Sequence, residues 1–265
     1  MNDPRPIGVF DSGVGGLTVY RALRRRMPEE SLVYFGDTGH LPYGSKSAEA
    51  VTRFSLHIAR FLESRGIKLL VVACNTASAV ALDALRRRCR VPVLGVIGPG
   101  ARAAAAATRS GTVGVIATEG TVSSGAYQRA LKELLPAARV RGVSCPLFVP
   151  LVEEGWWEHA VTRAVAREYL DPFRRTKADT LILGCTHYPM LKTVIQKAVG
   201  RGVRLIDSAE QAAIEAEGIL TEMDIRRTSG TPKADFYVSD GPGRFKRLAR
   251  RLGVAVREVR VRAFD

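Results

Sequence analysis

Two segments of the chain place a cysteine directly after an apolar run, and this repeat constrains the fold more than any other feature. Residues 69–79 read LLVVACNTASA, and residues 180–190 read TLILGCTHYPM, so that Cys74 matches Cys185. A second pair, PIGVFDSG at residues 6–13 and GTVGVIATEG at residues 111–120, is separated by nearly the same number of residues. The chain is therefore predicted to contain two related halves, each with a cysteine at the end of its third strand.

Apolar runs typical of strands alternate with helical stretches throughout both halves, which predicts an α/β fold with mostly parallel sheets. We expect two pseudo-symmetric α/β domains with the active site in the cleft between them. The first is discontinuous, with residues 1–98 and 210–265, and the second spans residues 99–209. Strands are predicted over 7–10, 32–35, 69–73, 93–97, 113–116, 140–143, 181–183 and 204–206. Helices are predicted over 17–26, 48–65, 78–88, 101–108, 123–135, 160–176, 190–198 and 209–227.

Composition places the chain among ordinary soluble globular proteins, with 46% hydrophobic and 25% charged residues in a chain of 265. No apolar run approaches the length of a membrane span, and no apolar segment follows a basic one near the start. We therefore expect a cytoplasmic protein without a membrane partner.

The cysteines are too few and too scattered for a disulfide-stapled fold. They are Cys74, Cys89, Cys145 and Cys185, and no two of them form a C-x-x-C pair. Cys185 and His187 are the one close Cys/His pair, so we expect no metal site and free thiols. Cys89 and Cys145 have no matching partner and are interpreted as structural.

The net charge of +14 raises the question of a nucleic-acid partner. The arginines lie at predicted helix ends or alternate with apolar residues, as in RFKRLARRL, and no aromatic stacking pattern accompanies them. We therefore interpret them as solvated surface and not as a nucleic-acid site. A nucleic-acid binding assay at raised salt would distinguish the two interpretations. A positive field would also attract a small acidic substrate.

The paired cysteines point to acid–base chemistry. Ligands of open α/β sheets bind beyond the carboxyl ends of the strands, where Cys74 and Cys185 are predicted to lie. A helix N-terminus there lowers a thiol pKa and holds a carboxylate, and Asn75, Thr76 and Thr186 add donors. Two thiols on opposite faces of one carbon would invert a stereocentre, with sulfurs roughly 7 Å apart. The alternative is that both are buried structural cysteines.

A nucleotide site is a weaker interpretation of the segment DSGVGG at residues 11–16. It lacks the G-x-G-x-x-G spacing of dinucleotide sites, and no Gly-Lys-Ser/Thr follows it. These glycines are better explained by close approach of the backbone to the cleft.

At this point the motifs resemble those of the glutamate racemases, within the aspartate/glutamate racemase superfamily. The resemblance covers nearly the whole chain and depends on the motifs IGVFDSGVGGLTV, YFGDTGHLPYGSKS, ACNTAS, VIATEGTVSSGAY, CPLFVPLVEEG and LGCTHYPML, in this order. It implies an enzyme that interconverts L- and D-glutamate without a cofactor, supplies D-glutamate for peptidoglycan, and forms a homodimer.

The resemblance also implies roles for individual residues. The two catalytic acid/bases would be Cys74 and Cys185, assisted by Asp11, His187 and an acidic residue of LVEEG, for which we favour Glu153 over Glu154. The implied substrate contacts are Asp11, Ser12, Tyr43, Gly44, Asn75, Thr76, Thr118, Thr121, Thr186 and His187.

Alternatives remain at several of these positions. Asp11 could instead cap the helix near Leu17 or shape the glycine turn, and His187 could be a hydrogen-bonded core histidine. Aspartate racemization or a related isomerization on the same scaffold is the nearest rival function. Aspartate racemases usually carry a glutamate where this chain has His187, which favours glutamate as the substrate.

Overall fold

Two parallel sheets organise the chain in the computed structural model, which describes residues 2–264. Within that range the first sheet has the strand order β10-β9-β2-β1-β3-β4 and the second has the order β6-β5-β7-β8. The strands β1 to β10 are Ile7–Asp11, Leu32–Gly36, Leu69–Val72, Val93–Gly95, Thr112–Ala117, Arg139–Ser144, Thr180–Gly184, Arg204–Asp207, Ala234–Val238 and Arg260–Val261. The pairings are parallel in both sheets, so the predicted α/β fold with two parallel sheets is confirmed.

Helices connect successive strands, because a parallel pair of strands requires a crossover. In the described residues, the helices α1 to α12 are Leu17–Arg26, Ala48–Ser64, Asn75–Val80, Leu82–Arg88, Ile97–Ala107, Glu119–Ser123, Ala126–Leu134, Phe148–Glu153, Ala160–Arg174, Lys192–Val199, Ser208–Glu222 and Pro242–Arg251. Two short 3₁₀ helices, Tyr43–Ser45 and Tyr188–Leu191, lie in the loops after β2 and β7. Residues 2–264 contain no helix long and apolar enough to cross a membrane.

Each sheet is covered by apolar side chains on both of its faces. In the first sheet, alternate residues point to opposite sides, so Val9 packs with α1 and α11 while Phe10 packs with α2. The second sheet is sandwiched in the same way, with Leu181 and Ile182 in different clusters. A fully buried side chain of this size contributes about 1.5–3 kcal/mol. The sheets are therefore rigid platforms for the loops at their carboxyl ends.

A buried ion pair closes the opposite end of the first domain. Lys68 lies just before β3, and its Nζ contacts Glu30 Oε2 at 2.7 Å. The same ammonium group donates to the backbone carbonyls of Asp3 and Ile225, while the backbone N–H of Arg227 donates to Glu30. Both charged side chains are almost fully buried. This pair thus joins the N-terminal segment to the segment that follows α11.

Several predicted elements differ from the observed ones. The strand predicted over 93–97 ends at Gly95, because α5 already begins at Ile97. The helix predicted over 78–88 begins at Asn75 and is broken near Ala81 into α3 and α4. Helices α8 and α12 were not among the predicted helices.

The connection of the two domains runs through α5 and α11. The second sheet contains strands between residues 112 and 207, and the first contains the rest. Helix α11 packs against α1 of the first domain and also against α5, which covers β7 and β8. Because α11 touches both sides, the boundaries at residues 98 and 209 stay a prediction.

Candidate active site

The two matching cysteines lie at the carboxyl ends of interior strands. Cys74 comes two residues after β3, which lies between β1 and β4, and Cys185 directly follows β7, which lies between β5 and β8. Both thiols are free, and the residues are 5% and 7% exposed. Thr186, the residue after Cys185, donates a hydrogen bond to Asp11, and the hydroxyl of the next residue, Ser12, lies 3.8 Å from Cys74 Sγ. The loops that carry the two thiols therefore meet.

Cys74 is the N-cap of α3. Its Sγ accepts a hydrogen bond from the Ala77 backbone N–H at 3.5 Å and lies 3.8 Å from Ser12 Oγ. Burial nevertheless raises the pKa of Cys74 to about 12, and the nearby carboxyl of Asp11 adds to this effect. The amide at the helix N-terminus lowers this pKa, as expected, but the loss of solvation outweighs that contact and the net shift is upward.

Asp11 ends β1 and is fully buried between the two domains. One carboxyl oxygen accepts the backbone N–H of Gly13 at 2.9 Å, and the other accepts the Thr186 hydroxyl at 3.1 Å. Burial raises the pKa of Asp11 above its ordinary value, although His187 and the amide of Gly13 oppose this. Asp11 thus shapes the glycine turn and also reaches the loop that carries Cys185.

His187 lies beside Cys185, with 3.9 Å between its Nδ1 and Sγ. Its other ring nitrogen, Nε2, is 3.3 Å from Glu153 Oε1 on α8. Burial by itself lowers the pKa of His187, but the contacts with Cys185 and Glu153 outweigh it and raise the pKa from 6.5 to about 10. Protonated His187 therefore lies between two groups that carry or can acquire negative charge.

The structure distinguishes the two acidic candidates of the LVEEG motif. The side chain of Glu153 is 8% exposed and contacts His187, whereas that of Glu154 is 67% exposed and contacts Arg244. Burial by itself raises the pKa of Glu153, but the contacts with His187 and Arg244 outweigh burial. The pKa therefore lies below the ordinary glutamate value. Glu153 is thus an anion held against the imidazole.

Three threonine hydroxyls meet where the domains face each other. Thr76 Oγ1 lies 2.9 Å from Thr118 Oγ1 and 3.2 Å from Thr121 Oγ1, and the last two are 3.0 Å apart. Thr76 follows Cys74 in the first domain, while the other two surround the start of α6 in the second domain. In this closed arrangement the hydroxyls satisfy one another.

Tyr43 and Gly44 form a 3₁₀ turn above Cys74, and Gly44 faces Thr118 so closely that a Cβ would lie 2.5 Å from the threonine Cβ. The Tyr43 hydroxyl donates to Asp37 Oδ2, and His40 contacts the other oxygen of the same carboxylate at 2.8 Å. Asp37 was missed by the sequence reasoning, although it stands in the YFGDTGHLPYGSKS motif. Its role is to orient Tyr43.

Asn75 is held by a residue from the second domain. The Tyr127 hydroxyl lies 2.7 Å from Asn75 Oδ1, to which it donates, and 3.1 Å from Ser208 Oγ. Tyr127 was also missed, since an aromatic residue on a helix is usually a core residue. Because this contact holds the amide oxygen of Asn75, it also fixes the orientation of the amide nitrogen.

One glycine of the DSGVGG segment explains why a side chain is excluded there. A Cβ at Gly15 would lie 2.3 Å from Thr186 Oγ1 and 2.5 Å from His187 Nδ1. The backbone of the first domain at Gly15 therefore packs directly against the loop that carries Cys185, and no side chain fits between them.

The remaining cysteines lie elsewhere. Cys89 follows α4 and is partly exposed, whereas Cys145 is buried in the core of the second domain, where its Sγ lies 3.7 Å from the Val143 carbonyl. Across residues 2–264, no three His, Cys, Asp or Glu side chains are placed to hold a metal ion.

The substrate-contact candidates converge on this region. Ser12, Asn75, Thr76, Thr118, Thr121, Thr186 and His187 are each no more than 9% exposed, and Gly44 is half-buried. The arrangement therefore places two thiols, a buried carboxyl, an imidazolium and several hydroxyl or amide groups in one water-poor interface. Such a set can transfer protons at a carbon while holding an anionic substrate.

Comparison with known proteins gives consistent results. Residues 7–216 match the profile of the Asp/Glu/hydantoin racemase family. A glutamate racemase from Geobacter metallireducens is 54% identical over 94% of this chain and 92% of that protein. Among solved structures, a glutamate racemase isoform from Bacillus anthracis has a TM-score of 0.94 and 42% identity, covering 100% of this chain and 98% of that one. The Francisella tularensis glutamate racemase, solved in complex with D-glutamate, has a TM-score of 0.93 and 38% identity over 99% of both chains.

Proposed function

Because the chain belongs to the Asp/Glu/hydantoin racemase family, we propose that it is a glutamate racemase that interconverts L- and D-glutamate. The observation that carries the proposal is the pair of buried thiols, Cys74 and Cys185, that end matching strands of two facing domains. The reaction is a 1,1-proton transfer: one thiolate takes the α-proton, and the opposite thiol gives a proton to the other face of the carbon.

The electrostatics of the pair support this division of labour. A negative charge on Cys185 raises the pKa of Cys74, so the two thiols resist being ionised together. One thiolate and one thiol is the combination that a two-base inversion requires. After each turnover the two cysteines have exchanged protonation states, and the enzyme is ready for the opposite enantiomer.

Different groups assist each thiol. His187 is 3.9 Å from Cys185 and is kept protonated by Glu153, so it stabilises the Cys185 thiolate. Asp11 lies close to Cys74, and burial together with this carboxyl raises the pKa of that thiol. When the ammonium group of the substrate binds near Asp11 and Cys74, its positive charge favours their ionised forms.

Substrate contacts come from both domains. The α-carboxylate accumulates negative charge as the α-proton leaves, and fixed donors stabilise it. Ser12, Asn75 and Thr76 offer such donors from the first domain, and Thr118 and Thr186 offer them from the second. Thr76 and Thr118 hydrogen-bond each other across the domains, and bound glutamate would take over these hydroxyls as partners.

The names of the relatives support glutamate as the substrate. A relative with 54% identity is named a glutamate racemase, and a neighbouring structure contains D-glutamate. D-Glutamate is supplied in this way for peptidoglycan synthesis in the cytoplasm, and the homodimer expected from the sequence is retained as a prediction.

Aspartate remains the alternative substrate; His187 in place of a glutamate favours the longer amino acid. The basic surface, with a net charge of +14, is the sole support for nucleic-acid binding.

Incubation of the purified protein with L-glutamate in D₂O tests the proposal. We expect the optical rotation to decay to zero while deuterium replaces the α-proton, as followed by polarimetry and proton NMR. Unchanged rotation and an unchanged α-proton signal would overturn the proposed function. If L-aspartate is racemized instead under the same conditions, the substrate is reassigned within the family.

A further inference from the structure

Arg244 extends from α12 of the first domain to α8 of the second. Its Nη2 lies 3.1 Å from Glu153 Oε2 and 3.4 Å from Glu154 Oε1. The neighbouring Arg251 reaches the same segment, with its Nη1 3.4 Å from the Glu154 carbonyl oxygen. Two arginines of a single helix therefore contact the C-terminal end of α8 across the gap between the domains.

The two oxygens of Glu153 serve different partners. Oε1 faces His187 Nε2 at 3.3 Å, and Oε2 faces Arg244 at 3.1 Å. His187 in turn contacts Cys185. The contacts thus form a continuous path from an arginine of the first domain to a thiol of the second.

Helix stability does not explain this arginine. Arg244 is the third residue of α12, in the first turn, where the positive end of the helix dipole disfavours a cation. Its carboxylate partner is 8% exposed, whereas Arg244 itself is 53% exposed. The guanidinium therefore approaches a buried acid from the solvent side.

A cavity of about 170 Å³ adjoins the pair, lined by residues that include Val14, Leu41, Glu153, Arg244 and Phe245. Val14 and Leu41 belong to the loops that follow β1 and β2, so the cavity adjoins the mouth of the proposed active site. If the domains separate, the Arg244–Glu153 contact is broken together with the threonine contacts.

We propose that Arg244 is a positioning residue for the reaction: on domain closure it orients the Glu153 carboxylate toward His187, and so maintains the protonated imidazole beside Cys185. This inference rests on the proposed function. Without Arg244, the Glu153 carboxylate is free to turn toward water. Glu153 remains in the protein, so its contact with His187 is weakened and not abolished. The effect is therefore smaller than the loss of Glu153 or His187.

The test compares Arg244→Gln, Arg244→Lys and the matched control Arg247→Gln. Arg247 lies on the exposed side of the same helix. NMR of imidazole-labelled protein without substrate follows the titration of His187. Loss of the Arg244 charge would by itself raise the pKa of His187, whereas loss of the Glu153 orientation lowers it. We expect the pKa to fall in Arg244→Gln, to recover partly in Arg244→Lys, and to stay unchanged in Arg247→Gln; a rise in Arg244→Gln would mean that Arg244 acts by its charge alone and would overturn the inference.

Kinetics give the second readout. We expect kcat/KM of Arg244→Gln to fall roughly three- to tenfold, which matches a partly exposed ion pair. Because L- and D-glutamate have equal free energies, the loss must be equal in the two directions. An unmoved His187 titration and a native kcat/KM in Arg244→Gln would overturn the inference. Absence of racemization in the unmutated protein would instead refute the proposed function.

Discussion

Thr186 donates a hydrogen bond to Asp11 at 3.1 Å, and this contact joins the carboxyl ends of β7 and β1. The two residues are far apart in the chain: Asp11 ends a strand of the first sheet, and Thr186 follows a strand of the second. Each comes from a motif that contains a proposed catalytic group. The contact therefore brings the loop that follows β1 and the loop that carries Cys185 together.

The first prediction concerns the two thiols. Cys74→Ala and Cys185→Ala should each lower the rate of racemization at least about 10³-fold, because neither face of the α-carbon can be served without its own acid/base. Polarimetry with each enantiomer measures the rates, and circular dichroism verifies the fold.

Cys89→Ala is the matched control for these variants. Cys89 follows α4, is partly exposed, and lies outside the candidate site. It should keep the native rate. If either Cys74→Ala or Cys185→Ala kept near-native rates in both directions, the two-base mechanism would be wrong.

The threonine cluster gives a second prediction. Thr76→Val keeps the shape of the side chain but removes the hydroxyl that contacts Thr118 and Thr121. We expect KM for glutamate to rise roughly fivefold to thirtyfold, since one substrate hydrogen bond is lost. Initial-rate kinetics measure the change, and Thr52→Val on α2 is the control. A KM equal to that of the unmutated protein would remove Thr76 from the substrate contacts.

His187 links stability to pH. Its pKa is raised from 6.5 to about 10 in the folded protein. Protonated His187 therefore stabilises the fold fully below pH 6.5, and this contribution is lost as the pH rises through about 10. The Tm difference between the unmutated protein and His187→Gln should become less favourable to the unmutated protein between pH 6 and pH 10. Thermal unfolding across this range measures it; a constant difference contradicts the assignment.

The buried Lys68–Glu30 pair gives a prediction of stability. Lys68→Met removes one partner and leaves Glu30 buried without its ammonium group, which should cost about 3–5 kcal/mol of unfolding free energy. Urea unfolding measures the loss.

The double variant Lys68→Met with Glu30→Gln is the control for that substitution. It removes both charges, and the glutamine oxygen can still accept the Arg227 backbone N–H. We expect it to be more stable than Lys68→Met alone. If the two variants were equally unstable, the cost would come from the lost carbonyl contacts of Lys68 and not from the unpaired charge.

Long, strongly patterned elements were predictable from the sequence. The strand before Cys74 and the strand before Cys185 are continuous apolar runs, as expected for strands covered on both faces. Short helices were not predictable: α8 spans only Phe148–Glu153 and contains Pro150, too few residues to show a helical period. Helix α12 was not predicted, because its many arginines were interpreted only as solvated surface. The contact of Arg244 with Glu153 was therefore missed as well.

The sequence by itself determined the duplicated α/β plan, the pairing of Cys74 with Cys185, and the motifs that show the family, because these depend on local pattern and order. The tertiary structure alone decided the state of the groups. Local reasoning expects the α3 N-terminus to lower the pKa of Cys74, but burial and the nearby Asp11 carboxyl raise this pKa to about 12. Likewise, only packing brings Glu153 to His187, since solvation and charge at a site depend on residues that are distant in the chain.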